Sequence, residues 1–180
     1  AAPAEAPASA AESGAAAQPA AAPAETADGP SGTLVVALPL EPNSINPPNG
    51  ADRMAGNVIN QIFESLIAVD YDTGEILPAL ATAWDVAADG SSYTFTLRQG
   101  VTFHDGSAFN AQDVAATFEA GGDPANAYAS SYTDVTVEVV DDYTVTLIPE
   151  TPSVTFLRRM TETPMISDEQ FAAEGNPGIE

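Results

Sequence analysis

Two stretches of the chain alternate apolar and polar residues with a period of two, the signature of a strand with one covered face. In "SYTFTLR" (92–98), Tyr93, Phe95 and Leu97 alternate with Thr94, Thr96 and Arg98. In "VTVEVVDDYTVTLI" (135–148), Val135, Val137 and Val139 share one side, and Tyr143, Val145 and Leu147 follow a turn near Asp141-Asp142. Threonine on the wet side suits a pleated surface, where its branched Cβ packs well. These stretches predict a half-buried strand and a hairpin. "GTLVVAL" (32–38) is instead a continuous apolar run between Gly and Pro, so it predicts a buried strand.

Helical spacing appears elsewhere. "RMAGNVINQIFESL" (53–66) places Met54, Val58, Ile62 and Leu66 four apart, with Ile59 and Phe63 flanking, which predicts one broad apolar stripe. "NAQDVAATFE" (110–119) predicts a short helix with Asn110 as N-cap and Asp113 three residues on, close to a capping box. "TPSVTFLRRM" (151–160) and "SDEQFAAE" (167–174) predict two more short helices, with Ser167 and Gln170 as a second box. "VDYDTGEI" (69–76) reads as a tight turn between two short extended pieces, and "PLEPNSINPPNGAD" (39–52), with four Pro and three Asn, as an irregular loop. The sum is an α+β fold: antiparallel strands with short helices against them.

Composition changes this picture at the N-terminus. Residues 1–32 hold 15 Ala and 5 Pro and no aromatic residue. Proline recurs too often for a long helix, and Ala methyls bury little surface, so the segment is expected to be a disordered Ala/Pro-rich tether. It has neither the basic start of a signal peptide nor the continuous large apolar run of a membrane span. Residues 33–180 are then the part expected to fold.

The net charge is −22, from 26 acidic residues against four Arg and no Lys. Such a chain repels phosphate backbones and anionic lipid, which argues against nucleic-acid and peripheral membrane binding. Solubility in a salty habitat would account for the acidity, and a preference for cationic ligands is the alternative. Without cysteine there are no disulfides and no thiolate chemistry.

The chemistry-bearing candidates are few. His104, the chain's one histidine, sits in "FHDGS" (103–107) beside Asp105, ahead of Asp113 and Glu119. A nucleophile system needs an activated serine in reach, and no G-x-S-x-G elbow is present. Zinc needs three or four ligands at recognisable spacing, which a lone His does not provide. Asp-Gly after apolar Val101 and Phe103 favours a turn, so a structural His104 is expected, with a hydrolase acting through His104 and Asp105 as the alternative. "DYDTGE" (70–75) has the acidic density of a calcium loop but lacks the closing glutamate, Pro78 and its neighbours standing there instead, so a solvated turn is favoured over calcium. Trp84 is expected in the core, with ligand stacking as the lesser alternative. No phosphate loop occurs, and no cofactor or metal is expected. The loop from Glu41 to Arg53 is the remaining candidate, because such loops often carry binding function. At the helix start Asp52 either caps the helix or, with Arg53 and free backbone N–H groups, meets a ligand carboxylate.

The stretch "LPALATAWDVAADGSSYTFTLRQGVTFHDGSAFNAQDVAATFE" (77–119) strongly resembles the signature region of the peptide-type, family 5, solute-binding proteins of ABC importers. There a "P-x-LA-x-x-W" piece leads into "DG-x-x-YTF-x-LR", then "GV-x-FHDG" and "A-x-DV". "TLVVALPLEPNSINP" is similar to the family's first strand and following loop, "QIFESLIAVD" to its next helix, and "VEVVDDYTVTLIPETP" to a later hairpin. The resemblance runs from about Gly32 to the end. It implies the N-terminal part of a bilobal periplasmic-binding-protein-like fold, carrying the first strand, a helix and the outer subdomain, with the second lobe absent. It implies a non-enzymatic, monomeric binder of peptides or similar solutes outside the cytoplasmic membrane. Its partners would be ABC permease subunits, and a lipid at the end of the tether would be its only membrane contact. It implies scaffold for "FHDG" and ligand contacts at Ala51, Asp52, Arg53 and Asn60. Family members are a few times longer, so this chain alone is expected to bind peptide weakly or not at all, with Leu34 to Leu38 short of sheet partners. A standalone secreted interaction or stalk module is the alternative.

Overall fold

A computed structural model describes residues 33, 35–42, 44–47, 53–126 and 128–174. The expected tether, 1–32, lies outside them. Residues 1–36 and 37–180 form two units; of the first, Thr33, Val35 and Val36 are described. All three are exposed and none is in a strand. In the second unit Ala37 and Leu38 are likewise exposed and outside any strand. The expectation of a buried strand at 32–38 is therefore corrected. An apolar run becomes a strand only where another strand accepts its backbone hydrogen bonds, and among the described residues none pairs with it.

Among the described residues the first helix or strand is helix α1, Arg53–Ile62. Its buried positions are Ala55 and Ile59, one turn apart, while Met54 and Val58 are half-buried and Ile62 is exposed. The covered face is thus rotated by about one residue, roughly 100°, from the expected Met54–Val58–Ile62 line. The chain then forms a two-stranded antiparallel ribbon of β1, Ile67–Val69, and β2, Ile76–Pro78, joined by the expected turn. Asp70 builds that turn: its Oδ1 accepts the N–H groups of Asp72 (2.8 Å) and Thr73 (3.0 Å), and Gly74 takes the positive φ of 76° that closes it.

The main sheet has four antiparallel strands in the order β3-β4-β6-β5. They are β3 Ala81–Val86, β4 Tyr93–Leu97, β5 Val135–Asp141 and β6 Thr144–Pro149. Strand β3 carries a bulge between Ala81 and Ala83. In β4 and β6, Tyr93, Phe95, Leu97, Val145 and Leu147 are buried as their alternation predicts. Thr94 and Thr146 stand opposite each other on the other face, their hydroxyls 3.0 Å apart.

Helix α2, Ala111–Gly121, packs against the apolar side of this sheet. Val114 and Phe118 join the sheet residues and Phe109 in one core. Burial of each such side chain contributes about 1.5–3 kcal/mol. The expected capping box is present: Asn110 Oδ1 accepts the Gln112 N–H (2.7 Å), and Asp113 Oδ2 accepts the Asn110 N–H (2.7 Å). Trp84 is half-buried against the same core, opposite Phe95, in agreement with its structural reading.

Three short helices complete the unit: α3 Ser130–Thr133, α4 Phe156–Met160 and α5 Asp168–Glu174. α5 matches expectation, with Ser167 Oγ accepting the Gln170 N–H at 3.3 Å, whereas α4 forms only the second half of the helix expected over 151–160. α3 was not expected; a Ser-Ser-Tyr-Thr tetrapeptide has no helical periodicity to read. Arg159 of α4 pairs with Asp134 at 2.6 Å and lies 5.0 Å over the Phe156 ring, which ties α4 to the start of β5.

Candidate functional site

Within the second unit the end of α1, the 101–109 segment and the 165–170 segment converge on a cavity of about 920 Å³. Backbone pairing brings them together. Met165 N–H donates to Glu64 O (2.9 Å), Ser65 bridges Pro164, and Phe109 N–H donates to Val101 O (3.0 Å). Phe63, Leu80, Val101, Phe103, Phe109 and Met165 supply apolar lining, and Glu64, His104, Asp105 and Glu169 supply ionisable groups. Asn60, Gln61, Thr102, Ser167 and Gln170 add neutral polar groups, so the lining is more polar than that of the usual, mostly apolar small-molecule site.

His104 belongs to a turn, as expected. Phe103 N–H donates to Ser107 O (2.9 Å), Gly106 N–H donates to Phe103 O (3.0 Å), and Gly106 has φ 92°. Asp105 accepts from the Ser107 hydroxyl (2.7 Å) and N–H (2.9 Å). The Ser107 bonds, hydroxyl first, hold its carboxyl below the usual range, and the adjacent His104 adds the least. His104 is exposed, and the carboxylate that a catalytic pair would use is already committed to the turn. Among the described residues no group of three or more His, Cys, Asp or Glu is placed to hold a metal ion. Among them, too, no helix is long and apolar enough to cross a membrane.

Residues 75–178, more than half of the chain, match the model described as bacterial extracellular solute-binding proteins, family 5 Middle. The chain belongs to this family. Its fold is that of a fragment of a periplasmic binding protein, with mixed helices and antiparallel sheets. Among curated proteins the chain is 40% identical over 119 residues to di/tripeptide-binding protein 4 of Pseudomonas aeruginosa, an alignment covering 55% of this chain and 22% of that protein. It is 32% identical over 130 residues to the glutathione-binding protein GsiB of Pectobacterium atrosepticum, covering 70% of this chain and 25% of that one. Among solved structures, the ABC transporter-associated periplasmic binding protein DppA from Helicobacter pylori, in complex with the peptide STSA, superposes with a TM-score of 0.64 at 28% identity. That match covers 75% of this chain and 31% of DppA. The chain thus spans about a quarter of the length of the curated relatives it matches.

In this family 5 chain the four residues expected to contact ligand are only partly placed. Ala51 and Asp52 lie outside the described residues, so the choice between helix cap and ligand contact for Asp52 falls there too. Arg53 is the exposed first residue of α1, and Asn60 is exposed near its end and lines the cavity. Seven residues on a helix turn through about 700°, so the two positions share one side about 10 Å apart. The cavity lining itself escaped the sequence reading. Its apolar residues come from four separated stretches, and the one local signal was Phe63, flanking the helical stripe.

Proposed function

We propose that this chain is the N-terminal portion of the substrate-binding component of an ABC importer for peptides or similar solutes. The observation that carries the reading is the family match over 75–178, reinforced by 40% identity to a di/tripeptide-binding protein. In this reading residues 33–180 contribute the first segment, α1 and the outer subdomain, and 1–32 serve as a tether. The protein works outside the cytoplasmic membrane as a monomer, held there by a lipid at the tether and handing solute to permease subunits. Ala51, Asp52, Arg53 and Asn60 contact the solute. The shared side of Arg53 and Asn60 on α1 supports the grouping of those two, and a guanidinium at a helix start suits a peptide carboxylate. No step of this function needs bond-making chemistry, and the commitment of Asp105 to its turn supports that.

A solute cleft formed by two lobes encloses little when one lobe stands alone. Titration of the 180-residue chain with di- and tripeptides, followed by amide chemical shifts, is expected to give a Kd weaker than about 1 mM, with shifts at Arg53 and Asn60. A micromolar Kd for the isolated chain would overturn the two-lobe reading. Shifts confined to residues outside 51–60 would overturn the site assignment.

A further inference from the structure

The cavity wall formed by 165–170 starts in a stretch with no hydrogen-bond ladder of its own: Met165, Ile166 and Ser167 belong to neither helix nor strand. Backbone N–H groups in such a stretch need acceptors from elsewhere. Met165 N–H donates to Glu64 O, just past the end of α1. Ile166 N–H donates to Thr117 Oγ1 (3.0 Å) and Asp168 N–H to Asp113 Oδ1 (2.9 Å), both acceptors on α2. Thr117 and Asp113 are each only 1% exposed, so water cannot stand in for either. Both are fixed in turn: Thr117 Oγ1 donates to Asp113 O (2.7 Å), and Asp113 Oδ2 accepts the Asn110 N–H (2.7 Å). They sit one turn apart beside Val114 and Phe118, which enter the core. Polar groups at such positions are costly unless bonded, and their long-range bonds go to residues 49 and 55 positions along the chain.

We propose that Asp113 and Thr117 are positioning residues for the cavity: through the N–H groups of Ile166 and Asp168 they hold Met165, Ser167, Glu169 and Gln170 in its wall. The aspartate of the "A-x-DV" stretch (111–114) then has two roles, capping α2 with one carboxylate oxygen and seating the wall with the other. Ser167 extends the seat, its Oγ accepting the Gln170 N–H (3.3 Å). Asn60 lines the same cavity from α1, so the seat also sets the width of the space beside it. The bearing on solute rests on the reading of Asn60 as a solute contact; the seat itself does not.

The test is native-state amide exchange of the 180-residue chain and of Thr117→Val and Thr117→Ser. Valine keeps the shape and loses the acceptor; serine keeps the acceptor. In Thr117→Val, exchange should rise about tenfold at Asp168 and Gln170, whose own acceptors remain, the scale of one lost buried acceptor. The amides of β4 and β6 should stay near their parent rates, and Thr117→Ser should restore the wall. A merely structural loss would instead raise exchange everywhere alike, and that result would overturn the positioning role. Exchange of Ile166 and Asp168 in the parent chain as fast as in an unstructured peptide would overturn the seat whether or not the variants fold. Trialanine, followed by amide shifts, separates this inference from the solute reading. Binding at Asn60 is expected to weaken several-fold in Thr117→Val; an unchanged Kd there would overturn the role of the seat in binding. No shift at Asn60 in either chain would overturn the solute contact alone, with the exchange rates still deciding the seat.

Discussion

Gly121→Ala should destabilise the chain although it replaces a poor helix former with the best one. Gly121 is the buried last residue of α2. A methyl group added there would meet Cγ, Cδ1 and Cε1 of Tyr132 at under 3.0 Å, closer than real Cβ atoms come. Cγ lies at the root of that side chain and stays put when the ring turns about χ2, so only a swing of the whole ring about χ1 could clear it. Tyr132 is also held edge-on against Phe118, with ring centres 5.8 Å apart and planes at 69°. Relief therefore requires either a χ1 swing that gives up the Phe118 contact or a shift of α3 away from α2. Overpacking of this kind costs about 1–3 kcal/mol, and helix propensity returns at most about 1 kcal/mol. With that full return the net loss is up to about 2 kcal/mol, read as a lower urea midpoint in Trp84 fluorescence and far-UV circular dichroism. In a Tyr132→Ala background the ring is gone, so the same substitution should become neutral or stabilising. Equal or greater stability of Gly121→Ala in the parent chain would refute the close approach, and an unchanged cost in the Tyr132→Ala background would refute its assigned cause.

Gly56→Ala is the opposite case: it lies inside α1 with nothing within 4 Å of the added methyl, so helicity should rise and stability increase by about 0.5–1 kcal/mol in the same urea assay. Asn110→Ala removes the acceptor for Gln112 N–H and should cost about 1 kcal/mol, with faster amide exchange in the first turn of α2 as the local readout. Stability should also depend on pH in two opposed ways, separable by urea melts at pH 3, 5 and 7. The contribution of Asp113, whose carboxyl is raised from 3.8 to about 6, is fully present below 3.8 and lost as pH rises through 6. Asp70, Asp89 and Asp105 are held below 3.8 by turn hydrogen bonds, so their contributions are present above 3.8 and lost on further acidification.

Strands β4 and β6 were legible because a sheet covered on one face imposes a period of two on the residues themselves. The capping box at Asn110 and Asp113 and the turns at Asp70 and Asp105 were legible for a similar reason: partners two or three residues apart make the decisive bonds. The strand expected at 32–38 failed because an apolar run shows that burial is available without showing a neighbour to pair with. The stripe on α1 was rotated because Ala55 carries too little side chain to register as apolar signal, yet it is fully buried. The cavity was invisible because Phe63, Leu80, Phe103 and Met165 meet only through long-range pairing. Asp113 was read as a cap alone; its second partner, Asp168, is 55 residues away.

The longest motif of the family is first of all scaffold, although Leu80, Val101, Phe103 and Phe109 of it also face the cavity. Residues 77–119 supply β3, β4, the Asp105 turn and α2, and their large side chains enter the shared core. His104 falls inside that motif as the corner of a turn, so its presence specifies a bend and not a reaction. The expected ligand contacts instead begin in the Pro/Asn loop at 39–52, where no periodic pattern constrains the residues. A scaffold must repeat the same packing to fold at all, whereas a binding loop is free to vary with the solute. The same division would explain why resemblance identifies the family while leaving the solute open: the residues that carry the resemblance build scaffold, and the expected contacts at Ala51, Asp52, Arg53 and Asn60 lie outside that motif.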